Sequence, residues 1–158
     1  MSLLDIFIHG HPRPAGSKTA YLIKNKLGVP VKKNGREIIV VTDASGKRGK
    51  DWRNTIKATA QEATEGAPLL TGPLFVEMTF HMPRPKCHYG TGKNAGTLKD
   101  SAPTHHTTTP DLLKVTRAVE DALTSVVYKD DSQIVLERLE KRYADNQRIG
   151  VRVTVTEA

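Results

Sequence analysis

From Leu74 to Met82 the chain reads LFVEMTFHM with a strict period of two: Leu74, Val76, Met78, Phe80 and Met82 point one way, and Phe75, Glu77, Thr79 and His81 the other. An extended strand gives successive side chains opposite faces, so this is the clearest strand in the chain. Residues 3 to 9, LLDIFIH, alternate enough for a first strand, which GHPRPAGSK ends with two prolines and two glycines. TAYLIKN and GVPVKKNGREIIVVTDA read as strands around Asn34-Gly35, the strongest short hairpin signal. Ile134 to Tyr143 and Ile149 to Thr156 read as closing strands joined by ADNQR, the last with Val151, Val153 and Val155 on one face.

Two helices stand between the strands. One runs from about 49 to 65, where Trp52, Ile56, Ala60 and Ala63 recur at helical spacing and Gly66 is a C-terminal stop. The other runs from Asp111 to about Val126, with Leu112, Val115, Val119, Ala122, Leu123 and Val126 in one stripe that must meet a core. Strands and helices alternate irregularly and hairpins are present. That pattern gives an α+β class with a mixed sheet packed with two main helices, rather than a doubly wound fold.

The chain has 158 residues, no internal repeat and no linker, and is read as a single domain, 1–158. The single Cys87 excludes an internal disulfide and a CxxC zinc pair, so a reducing cytoplasm fits and any metal must rely on oxygen ligands. No basic, apolar leader opens the sequence, and no apolar run approaches the roughly 20 residues of a membrane span.

The net charge of +7 is unevenly placed: residues 1 to 50 hold ten Lys/Arg against three Asp/Glu, and residues 51 to 158 hold fourteen of each. The excess in the first third favours a polyanionic partner, nucleic acid ahead of membrane. Lys18, Lys33 and Arg36 give the hairpin segment a positive surface. From 83 to 110 the sequence has no periodicity, and a loop of that length is functional or disordered. It carries Arg84, Lys86, Lys93 and Lys99 against one Asp100, a composition suited to tracking phosphates without reading sequence. GTGKN at 90 to 94 lacks the remainder of a phosphate-binding loop, the histidine pairs lack metal-site spacing, and no Ser, His and Asp set has a nucleophile context.

Asp111, after Pro110, is placed to cap the second helix with its carboxylate. Leu113 points about 140° away from the apolar stripe, on the side of Arg117 and Glu120, and so breaks the local rule. Asp130 and Asp131 precede a strand, where a solvated turn is the ordinary reading. A divalent cation held by one carboxylate from each segment would account for both acids at once, since Mg²⁺ takes one or two protein carboxylates and completes its shell with water and phosphate.

The sequence "PD" opening a helix, RAVEDAL continuing it, then VVYKDDSQIV and the downstream Lys141 resembles the RusA family of Holliday junction resolvases. The family helix reads approximately PD-x-DN-x-x-K-x-x-x-DAL, followed by a DDSQV-like segment. Pro110, Asp111, Asp121, Ala122, Leu123, Asp130, Asp131, Ser132 and Gln133 match it, while HMPRPK, PRPAGSK and VTDASGK followed by WR resemble phage and actinobacterial members. The resemblance implies a homodimeric, Mg²⁺-dependent endonuclease, with Mn²⁺ as a substitute, that nicks four-way DNA junctions symmetrically in recombination and repair.

It also implies that Asp111 and Asp131 bind the metal, that Asp130 belongs to the catalytic group, and that Arg117 stands where the family has a functional lysine. Lys114 and Lys141 would join the DNA-binding cations, and Lys141 or Arg117 could stabilise the transition state. Leu113 occupies the position of the family's second motif aspartate, and Lys114 that of its asparagine or lysine. Leucine cannot ligate Mg²⁺, so weakened metal affinity and cleavage with DNA binding kept are expected. Glu120 is roughly 10 Å further along the helix, too far to replace the missing ligand fully. For the dimer, the apolar faces of the helices or the hairpin are the candidate surfaces.

Overall fold

The computed structural model describes residues 2–146 and 148–158, with the backbone alone of Ser2 and Asp43. The elements follow in the order β1 (Ser2–His9), β2 (Lys18–Leu22), β3 (Lys32–Lys33), β4 (Arg36–Glu37), β5 (Ile39–Asp43), α1 (Gly46–Thr64), β6 (Leu74–Met82), α2 (Leu112–Leu123), β7 (Ile134–Tyr143) and β8 (Gly150–Glu157). Four strands form the main sheet in the order β1-β8-β6-β7. β8 pairs antiparallel with both neighbours, whereas β7 lies parallel to β6 at the sheet edge. The mixed sheet and two helices confirm the α+β class.

The alternation along β6 organises the core. Leu74, Val76, Met78, Phe80 and Met82 are all buried, as are Val151, Val153 and Val155 on β8 and Leu4 and Ile8 on β1. Both helices cover this face, α1 through Trp52, Ile56 and Ala60, α2 through Val115, Val119, Ala122 and Leu123. Each large apolar side chain buried this way contributes about 1.5–3 kcal/mol relative to exposure. The opposite face is wet and carries cross-strand ion pairs, with Arg152 donating two hydrogen bonds to the Asp5 carboxylate at 3.0 and 2.7 Å.

The helix limits differ from the sequence expectation. α1 begins at Gly46, and Ala63 is exposed because the last turn has left the core; Glu65, in the left-handed region at φ 41°, stops the helix one residue before Gly66. α2 ends at Leu123 rather than near Val126, since Thr124 turns extended and Ser125 takes φ 63°. Gly10 has a sharper requirement: at φ 141°, an added Cβ would lie 2.8 Å from the Trp52 ring, so only glycine fits where β1 leaves the core.

Residues 18–43 make a two-turn arm. β2 and β5 pair from Lys18–Asp43 to Leu22–Ile39, and Asn34 and Gly35 sit at φ 53° and 76°, the conformation that the Asn-Gly hairpin signal demands. The arm leaves Tyr21, Ile39 and Val41 more than half exposed. The segment 83–110 is ordered by short 3₁₀ turns at Lys86–His88 and Gly92–Asn94 and by hydrogen bonds that run from 104–106 to the end of β7.

Candidate nucleic-acid interface and active site

α2 is buried on one side and charged on the other. Val115, Thr116, Ala118, Val119, Ala122 and Leu123 face inward, leaving Leu113, Lys114, Arg117 and Asp121 exposed. The first turn is fastened to the loop after β1 by a hydrogen bond from Ala15 N–H to the Lys114 carbonyl, 2.8 Å. Beside that bond lies a groove of about 460 Å³, lined by Lys18, Arg53, Leu113, Lys114, Arg117 and Asp121. A cavity of about 560 Å³ on the other side of Lys114 is walled by Arg13, Pro14, Met82, Pro110 and Asp111. The basic loop 11–18 thus lies along the outward face of α2.

Asp111 occupies the N-cap position, but its carboxylate makes no cap hydrogen bond. It pairs with Lys114 Nζ at 3.2 Å instead, and both side chains are mostly exposed. The expectation of a capping carboxylate is therefore corrected: the lysine one turn on competes for it. An exposed pair of this kind contributes little to stability, which leaves Asp111 free to exchange partners.

Two cations expected at the DNA surface are used inside the fold. Lys141 Nζ donates to the carbonyls of Thr108 and Pro110, both at 2.6 Å, and so ties β7 to the segment that leads into α2. Arg84 is 5% exposed; it donates to the Pro103 carbonyl at 2.8 Å and lies 5.0 Å over the Tyr143 ring. Lys18, Lys33, Arg36, Lys86, Lys93, Lys114 and Arg117 are all exposed.

The DDSQ segment is a 3₁₀ turn, Asp131–Gln133, with a reciprocal cap. Asp130 Oδ1 accepts from Ser132 N–H at 2.9 Å, and Gln133 Oε1 accepts from the N–H groups of Lys129 and Asp130, each at 3.0 Å. The Gln133 amide donates in turn to the carbonyls of Leu70 and Gly72, both at 3.1 Å. The Asp130 carboxyl is thereby occupied locally, and the Ser132 hydrogen bonds hold it below the usual carboxylate range. Asp131 is left to look elsewhere.

Asp131 lies in the field of Glu120 on α2 and of Tyr128. Glu120 is half-buried, and burial together with the hydrogen-bonded carboxyl of Glu137 and the charges of Asp131 and Asp121 pushes it up to about 8. The buried Tyr128 hydroxyl donates to the Glu120 carbonyl at 3.2 Å, and burial followed by the charges of Glu120, Asp131 and Glu137 raises it far above its ordinary value. Glu137 was not legible from the sequence as a site residue. Its place beside Glu120 depends on β7 running next to α2, and locally it is one of several charged residues in a strand that reads IVLERLEKRY.

Asp111 stands with Lys114 at the start of α2; Asp131 stands with Glu120, nine residues and roughly 13 Å along the helix. Leu113, two residues after Asp111, is 71% exposed. Among the described residues no three His, Cys, Asp or Glu side chains are grouped to hold a metal ion.

The outward face of α2 is thus bordered by the cations Lys18, Arg53, Lys114 and Arg117, with Asp111 at its start and Asp121 in its last turn. The chain is a member of the RusA family: the family model for endodeoxyribonuclease RusA matches residues 29–154. An uncharacterized protein, YqaN of Bacillus subtilis (strain 168), is 31% identical over 85 residues, a match spanning 54% of this chain and 59% of that protein. Among the described residues no helix is long and apolar enough to cross a membrane.

Proposed function

We propose that the protein is an endodeoxyribonuclease of branched DNA, acting on four-way junctions as a homodimer in the cytoplasm during recombination and repair. The observation that carries this reading is the groove in which Lys18, Lys114 and Arg117 gather along the outward face of α2, next to Asp111. Cations so placed neutralise phosphates and fix the duplex arms without reading bases. Family membership supplies the nuclease class. Both apolar helix faces are consumed by the core, so the arm with exposed Tyr21, Ile39 and Val41 is the surface we assign to the dimer.

A divalent cation, Mg²⁺ or Mn²⁺, would be held by Asp111 and Asp131 and would supply activation of water and charge neutralisation at the phosphate. Here the ligand set is short by the carboxylate that Leu113 replaces. A second reading follows from that one residue: a junction-binding member whose cleavage is weak or absent. In either reading Arg117 and Lys114 position the phosphate, and Asp111 and Asp131 are the carboxylates that would hold the cation beside it.

The test is a cleavage assay on a labelled four-way junction with Mg²⁺ or Mn²⁺, comparing the protein with Leu113→Asp and Asp131→Asn and scoring binding in parallel. Symmetric nicks that disappear in Asp131→Asn support the nuclease. Binding without nicks, with cleavage gained in Leu113→Asp, selects the second reading. Absence of binding to branched DNA by every variant overturns both.

A further inference from the structure

Leu113 is the one residue of α2 whose position neither the core nor hydration explains. It is 71% exposed, while Leu112 beside it packs against the core and the other apolar residues of the helix are buried. Single exposed leucines are ordinary on protein surfaces. This one lines the groove among Lys18, Arg53, Lys114 and Arg117. Phosphates drawn to those cations bring sugars and bases with them, and a base face or an opened base step is the largest apolar surface that DNA can offer a leucine there.

We propose that Leu113 is a wedge that enters the base stack at the branch point of a DNA junction. The inference rests on the branched-DNA reading and adds to it the contact that selects the branch point over the arms. Three features fit. The wedge is held by a rigid support, since Val115 two residues on is fully buried and Ala15 N–H clamps the Lys114 carbonyl. Lys114 and Arg117 flank it, one residue and one turn away, where they can hold the phosphates on either side of an opened step. The neighbouring cavity of about 560 Å³, with Pro14, Met82 and Pro110 in its wall and Arg13 and Lys114 at hand, offers apolar and cationic surface to a displaced nucleotide.

Apolar side chains inserted between base steps unstack them and bend the duplex, at an energy that is lowest where pairing or stacking is already incomplete. A branch point is such a place. A paired arm, stacked on both sides, resists the same insertion. Leucine at 113 therefore exchanges a metal-binding carboxylate for a group that prefers opened DNA.

The experiment uses the full chain with a four-way junction carrying 2-aminopurine next to the branch point, in EDTA so that nothing is cut, with binding followed by anisotropy on the same junction. Saturating protein should raise the 2-aminopurine emission, and leave it unchanged when the probe sits mid-arm. Leu113→Ala should lose most of the rise while binding weakens by about fivefold or less, because the phosphate contacts remain. Leu113→Met should keep the rise, and neither variant should change the melting temperature. Binding with no rise, or a rise that survives in Leu113→Ala, overturns the wedge and leaves the branched-DNA reading standing; no binding at all removes both.

Discussion

The ammonium of Lys141 reaches across from the edge strand β7 and donates to the carbonyls of Thr108 and Pro110, each at 2.6 Å. It is the tie that places Asp111, the residue after Pro110, relative to the sheet. Replacing Lys141 with Met keeps the stem and removes the donors, and should lower unfolding stability by about 1–2 kcal/mol in urea titrations. A lysine whose donors are held by carbonyls keeps its charge but is not free to swing to a phosphate. The salt dependence of junction binding should then keep its slope in Lys141→Met, whereas Lys114→Met should reduce it by about one.

The position of Glu120 makes stability depend on pH. Its native carboxyl keeps a proton up to about pH 8, and the unfolded chain releases it near the ordinary value of 4.5. Between those limits the native state binds the additional proton, so this group's contribution is fully present below pH 4.5 and is lost as pH rises through 8. The urea midpoint should fall between pH 5 and pH 8, and Glu120→Gln should remove that part of the slope. A slope unaltered in Glu120→Gln would assign it to other groups.

Asp130 and Asp131 should separate under conservative substitution. Asn caps as well as Asp, so Asp130→Asn should retain both stability and whatever cleavage the protein has, while Asp130→Ala should lose about 1 kcal/mol. Asp131→Asn should leave the melting temperature in place and abolish cleavage. Gln133→Ala, which strips four hydrogen bonds from the turn, should be the most damaging of the set, at about 2–3 kcal/mol.

Gly10→Ala is expected to destabilise by about 2–4 kcal/mol, since it adds backbone strain at φ 141° to a collision with the Trp52 ring. Trimming the partner should not restore stability, because Trp52 is itself a core residue; the double variant with Trp52→Leu should be less stable than either single one. Thermal denaturation followed by circular dichroism reads all three.

What period and turn chemistry dictate was legible in the sequence: β6, β7 and β8, the Asn34-Gly35 turn, and the outward misfit of Leu113 all follow from neighbours a few residues apart. The roles of Arg84 and Lys141 were not legible, because their partners lie in a loop 19 and 31 to 33 residues away and only the folded chain brings them together. Glu137 was missed for the same reason. Asp111 was misjudged locally, since a lysine at i+3 can outbid three backbone N–H groups for one exposed carboxylate, a balance too fine to read from residue types.

α2 divides its obligations between two sides. Its buried residues hold the protein together, and Leu113, Lys114, Arg117 and Asp121 meet whatever the groove receives. Leu113 belongs to the outward set and is 71% exposed. On the reading proposed above, a change there would alter what the groove does to DNA and leave the packed side of α2 untouched, so abundance and solubility of a variant would say nothing about whether it still cuts.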